Sequence, residues 1–128
     1  MVPAPLPDDE ASRLAALRAY EILDTEAERP FDDLARLASA ICGAPVALVS
    51  FVDERRQWFK AKVGLDHSET PRDVAFCAHA ILGDDLFVID DAFDDVRFVD
   101  NPLVRGDPYV RFYAGAPLRA RGGEKLGT

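Results

Sequence analysis

Cys77 and His79 are the side chains best suited to nucleophilic chemistry, and Asp90, Asp91, Asp94, Asp95 and Asp100 are the ones best suited to hold a cation. Neither group has the spacing its chemistry needs. A thiolate–imidazole pair must share a face, and residues two apart on a helix point roughly 200° away from each other. Cys77 therefore reads as a small buried packing residue, and His79 as a capping or surface group. The chain has two cysteines, Cys42 and Cys77, and two histidines, His67 and His79, with no C-x-x-C pair, which does not make a four-ligand zinc site. The acidic stretch lacks the spacing, central glycine and final glutamate of an EF-hand loop, so its carboxylates read as solvated. No G-x-S-x-G elbow, phosphate-binding loop, dinucleotide fingerprint, kinase module or cyclase module is present. The expectation is a chain with no catalytic residues, no metal site and no enzyme activity of its own.

Composition narrows the class further. A length of 128 residues with 48% hydrophobic content fits one domain with a single core. No apolar run approaches the ~20 residues of a membrane helix. The start, Met1 to Pro7, lacks the basic and apolar regions of a signal peptide, and its three prolines favour an extended, solvated lead-in. The expected address is the cytoplasm, with both thiols reduced. A formal net charge of -8, with no basic stripe, favours solubility and excludes phosphate backbones as partners.

The elements that must position any site follow from periodicity. After Asp8 and Asp9, either of which could cap a helix, Leu14, Leu17, Tyr20 and Leu23 recur at helical spacing. Pro30 suits the first turn of a second helix whose apolar stripe is Phe31, Leu34, Leu37, Ala38 and Ile41, with Gly43 as a left-handed stop. Val46–Val52 is apolar on both faces, as in a central strand, and Trp58–Val63 alternates as a half-exposed strand returning in a hairpin. Trp58, Lys60 and Lys62 share one face, suited to a partner or to cover by the N-terminal helix. A helix opening at Thr70–Pro71 or Asp73 and running to about Leu82 is expected next. A strand at Leu86–Ile89, an irregular acidic segment and a strand from Val110 to Arg119 follow, and Arg121–Glu124 then turns. The order predicts an α+β fold, a mostly antiparallel central sheet flanked by helices. Residues 1–7 are expected as a disordered lead-in, 8–29 as an N-terminal helix and linker, and 30–128 as the core.

Three strings carry a family resemblance: Arg56–Leu65 (RQWFKAKVGL), Glu69–Leu82 (ETPRDVAFCAHAIL) and Arg111–Leu118 (RFYAGAPL). In this order they resemble the GAF domains at the input end of bacterial histidine kinases and diguanylate cyclases, over about Ala16 to Thr128. The resemblance implies a PAS-related sheet and a non-catalytic sensory role in a signalling protein. It also implies a small molecule held between one sheet face and the helices and loops covering it. Phe59, Phe76, Cys77, Phe98, Phe112 and Tyr113 fit such a lining, with Asp91 or Arg111 as polar anchors, and each fits a filled core equally well. The cofactor is unknown. Homodimerisation and a fused or partner output domain are implied as well. Similar GAF domains continue past Leu126–Thr128 with another apolar strand, so the expectation is a core lacking its final strand, either shortened or completed by a partner.

Two alternatives accompany the sensor. One is a ligand-free interaction or dimerisation module, favoured by the amphipathic N-terminal helix and an open sheet edge. The other is a redox enzyme using Cys77, as in GAF proteins that reduce methionine sulfoxide, although the acidic segment supplies no second thiol. Chromophore attachment at Cys77 meets the intervening Ala78 where such domains usually carry histidine.

Overall fold

In the computed structural model, which describes residues 1–128, Glu10–Ala19 forms helix α1. Glu10 lies in its first turn and Arg18 in its last, each complementing the dipole at its end. Asp9 occupies the N-cap without a side-chain capping bond. Leu14 and Leu17 are buried, but Tyr20 is exposed because the helix ends there and Glu21 takes a positive φ of 53°. Helix α2 spans Arg29–Cys42, opens with Pro30 in its first turn, and stops at Gly43 in the left-handed region with φ 61°. It meets the sheet through Ala35, its one buried residue, so Leu34, Leu37 and Ile41 of the expected stripe face solvent at 56%, 55% and 74% exposure.

Strands β1 (Ala47–Val52) and β2 (Arg56–Val63) form the expected antiparallel hairpin, with Phe51 opposite Trp58 and a bulge between Val49 and Ser50 that admits Lys60. Glu69–Pro71 is a strand, β3, rather than a loop leading into a helix, because Thr70 pairs with Gln57 and Glu69 with Trp58. A 3-10 turn at Arg72–Val74 and an extended Ala75 delay the following helix, α3, to Phe76–Ala80. Strand β4 (Phe87–Ile89) pairs with β5 (Tyr113–Gly115) in a separate two-stranded sheet. Between them, Asp91 caps a 3-10 turn at Ala92–Asp94 and Asn101 caps the short α4 (Pro102–Arg105).

The strand expected across Val110–Arg119 is divided. Val110 donates its N–H to Leu103 O, outside any strand, and Arg111 O accepts from Ala92. Pro117, which has no N–H, separates β5 from β6 (Leu118–Arg119), which joins the main sheet. The turn at Arg121–Glu124 leads into β7 (Lys125–Gly127), and the main sheet runs β3-β2-β1-β7-β6. Gly127 lies opposite Phe51, where a Cβ would collide with Ser50 O. Beyond the paired Ser50 and Thr128 backbones, Ala47–Val49 have β2 as their sheet neighbour.

The sheet carries cover on both faces. On one, Leu17 of α1 packs with Phe51, Trp58, Ala120 and Leu126. On the other, Cys77 and Ile81 pack with Val52. The N-terminal segment is thus part of the core rather than an appendage. A buried ion network holds it there. The guanidinium of Arg13, 1% exposed, donates to Glu10 Oε1 at 2.6 Å and to Val52 O at 2.6 Å. Arg72 donates to Glu10 Oε2 at 2.6 Å and to Asp53 O at 3.1 Å, clamping the β1–β2 turn. Burial pushes the Glu10 carboxyl up, but hydrogen bonds from Arg13 and Arg72 outweigh it and hold the group below the usual carboxylate range. The lead-in is also tied down: Val2 N–H donates to Arg97 O at 3.2 Å.

Candidate functional site

Beneath α3 the chain assembles an aromatic nest above a row of buried polar groups. Phe76 enters from the first turn of α3, Phe98 from the acidic segment, Phe87 from β4 and Tyr113 from β5. Phe76 stacks on Phe98 at 4.4 Å between centroids and on Tyr113 at 5.1 Å. Phe87 leans on Phe98 and Tyr113 at 6.5 and 6.1 Å. His79 meets Phe98 edge-on at 4.9 Å. Asn101 closes the floor, capping α4 through Oδ1 and donating Nδ2–H to Val74 O.

The polar row lies on the sheet. Ser50, fully buried, accepts from Gln57 Nε2 at 2.9 Å and lies 3.4 Å from Cys77 Sγ. Thr128 Oγ1 lies 3.5 Å from Ser50 Oγ and 3.3 Å from Tyr113 OH. Thr70 Oγ1, directly opposite Gln57 on β3, is buried without a partner. Burial pushes both the Cys77 thiol and the Tyr113 phenol up, so each keeps its proton at neutral pH. A thiol with no solvent contact and a raised pKa is a packing group and weak donor, not a nucleophile. Burial also holds the His79 imidazole below its ordinary value, against the opposing bond to Val2 O. That carbonyl, 3.0 Å from Nε2, can only accept, so the proton sits on Nε2.

Of the expected lining residues, the structure brings Phe76, Cys77, Phe98 and Tyr113 together. Phe59 is buried opposite Ser50 in the β1–β2 hairpin, but its ring stacks on none of the nest's aromatic rings. Phe112 is 60% exposed because β5 begins one residue later. Asp91 is exposed and spends its Oδ1 on the Phe93 N–H. Arg111 lies 3.5 Å above the Phe93 ring and donates to Val104 O, away from the nest. The residues that sequence reasoning did not single out are Ser50, Gln57, Phe87 and Thr128, and His79, read there as a capping or surface group, is instead part of the nest wall. Ser50 had a signal, as the one hydroxyl in an otherwise apolar strand. A surface cleft of about 560 Å³ lies elsewhere, between Asp24–Ala27, the first turns of α2 and β2. The nest itself is closed by ring-to-ring contact.

The fold agrees with the family-level comparisons. The model of the GAF domain family matches residues 26–128, and this chain belongs to the GAF family. It is 45% identical over 128 residues to a cyclic di-GMP phosphodiesterase of Pseudomonas aeruginosa, a match covering 100% of this chain and 22% of that enzyme. The chain thus spans about a fifth of the length of that relative. Among solved structures, the GAF domain of A. aeolicus nlh2 in an inactive state superposes with a TM-score of 0.58 at 10% identity, covering 92% of this chain and 77% of that one. That likeness is one of fold. No helix is long and apolar enough to cross a membrane.

Proposed function

We propose that this chain is a non-catalytic, cytoplasmic regulatory domain that controls cyclic di-GMP turnover by a catalytic domain in the same or a partner protein, in response to a small molecule taken up at the aromatic nest. The observation that carries this reading is the convergence of Phe76, Phe87, Phe98 and Tyr113 over a buried polar row with one unpartnered hydroxyl, Thr70 Oγ1. Flat rings above hydroxyl, amide and thiol groups suit a small, partly apolar molecule with one or two polar atoms. A ligand shifts output only as far as it binds two packings unequally. The nest joins α3, β4, β5 and the main sheet, so a change in its packing reaches several elements at once. The similarity to a phosphodiesterase supports cyclic di-GMP turnover over the histidine kinase and diguanylate cyclase outputs that the family resemblance first implied. Native mass spectrometry of the purified chain, beside a denatured spectrum, tests the ligand. A bound small mass lost on denaturation is expected, and a clean mass with no adduct counts against it.

A second reading, association between copies, is favoured by α2. Leu34, Leu37 and Ile41 lie on one exposed helix face, the kind of uncovered apolar stripe that marks an interface. Sedimentation equilibrium tests it, with a dimer expected and a monomer at high concentration counting against it.

A further inference from the structure

The lead-in meets the rim of the nest at Val2. The Val2 N–H donates to Arg97 O at 3.2 Å, and its carbonyl accepts a hydrogen bond from His79 Nε2–H at 3.0 Å. Both anchors belong to the nest wall. His79 packs edge-on against Phe98. The Arg97 guanidinium, held by Asp95 at 2.6 Å, lies 5.3 Å above both Phe87 and Phe98. From Val2 the chain runs through Pro3, Pro5 and Pro7, whose fixed φ angles stiffen it, into α1. That helix packs on the opposite face of the sheet through Leu17 and is clamped by Arg13, Glu10 and Arg72.

We propose that Val2–Pro7 is a strap that covers the nest, and that its release is the step coupling entry of a molecule to movement of α1. The anchors are two single hydrogen bonds at the Val2 backbone and a solvent-exposed ion pair between the Met1 ammonium and Asp100, weak enough to break reversibly, whereas the other end of the strap is fixed by a buried ion network. A molecule entering beside Phe98 displaces His79 and Arg97, and with them both contacts of Val2. The stiff proline segment then carries that displacement to the first turn of α1. The proposal rests on the nest being the point of entry, but the cover can be measured without any knowledge of the ligand.

The test uses the whole chain, a variant lacking residues 2–5, and Val2→Pro, which removes only the N–H donated to Arg97. Amide hydrogen exchange and fluorescence of the apolar dye 1-anilinonaphthalene-8-sulfonate are the readouts. Loss of two ordinary hydrogen bonds predicts exchange about tenfold faster at Phe76–Ile81, with a smaller effect in Val2→Pro. It also predicts dye fluorescence raised about threefold as the rings become accessible. Amides of Arg56–Val63 keep their wild-type rates. Unchanged exchange and dye binding overturn the proposal, as does an acceleration that includes Arg56–Val63 to the same degree, which would make the strap a general stabiliser. Opening of the nest in these variants supports the cover even where an assay of phosphodiesterase control returns no effect, so the two readings fail separately.

Discussion

Replacing Glu10 by Gln removes the charge at the centre of the Arg13–Glu10–Arg72 network while keeping its shape. Both guanidiniums are buried, at 1% and 7% exposure, so each is left in a low-dielectric site without its counter-charge. Breaking a buried ion pair from one side costs about 3–5 kcal/mol. Here Arg13 keeps Val52 O and Arg72 keeps Asp53 O, and the glutamine oxygen still accepts one bond. The expected loss is therefore smaller, about 2–3 kcal/mol at neutral pH. The pH dependence has a definite sign. The folded Glu10 carboxyl lies below its unfolded value, so its contribution is complete above the unfolded pKa near ~4.3 and is lost as pH falls through the lower folded value. The variant has no such group, so the gap between the two proteins narrows in acid. Urea unfolding followed by Trp58, the single tryptophan and part of the α1-facing core, reads both effects. A loss below about 0.5 kcal/mol at pH 7, the usual scatter for an unimportant surface change, would refute the latch. So would a gap that does not narrow in acid.

Other perturbations test separate parts of the structure. Phe98→Ala, at a ring 1% exposed and stacked on Phe76, should cost about 3–5 kcal/mol in the same urea assay, with a cavity that binds benzene. Thiol titration should find one fast-reacting cysteine in the native chain, the exposed Cys42, and a second, Cys77, only on unfolding; two fast thiols would contradict the buried site and reopen a redox role. Leu37→Lys should lower dimer content in sedimentation while shifting stability by no more than about 0.5 kcal/mol, because Leu37 is 55% exposed. Gly127→Ala should destabilise severely or prevent folding, seen as loss of the cooperative transition, because its Cβ would strike the Ser50 backbone across the sheet.

Much of this architecture was legible because local rules and tertiary packing agree. The helix at α1, Pro30 at the start of α2, the left-handed Gly43 and the β1–β2 hairpin all follow from propensity and periodicity. Where they disagree, packing decided. The stripe Leu34, Leu37 and Ile41 reads as a buried face, yet the small Ala35 is what lets α2 approach the sheet. Glu69–Pro71 reads as a lead into a helix, yet β2 offers it a strand partner. The apolar run from Val110 to Arg119 reads as one strand, and only the missing N–H of Pro117 hints that it serves two sheets. At the site, Phe76, Cys77 and Tyr113 could be anticipated from the family strings, and Phe98 as an aromatic residue of the acidic segment. His79 could not, because its role depends on a backbone carbonyl at Val2, 77 residues away in the chain. Arg13 likewise looks like a solvated helix residue until Glu10 and Arg72 surround it.

Regulatory control by the aromatic nest is best read in a chimera. This chain replaces the matching segment, 22% of the length, of the cyclic di-GMP phosphodiesterase of Pseudomonas aeruginosa. Cyclic di-GMP hydrolysis is then measured for the chimera and for its Phe98→Leu form, a substitution mild enough to keep the domain folded. The chimera is expected to hydrolyse cyclic di-GMP, and Phe98→Leu to change the rate about fivefold or more, corresponding to roughly 1 kcal/mol of coupling between nest and catalytic domain. Equal rates for the two chimeras, with the domain folded in both, would contradict it.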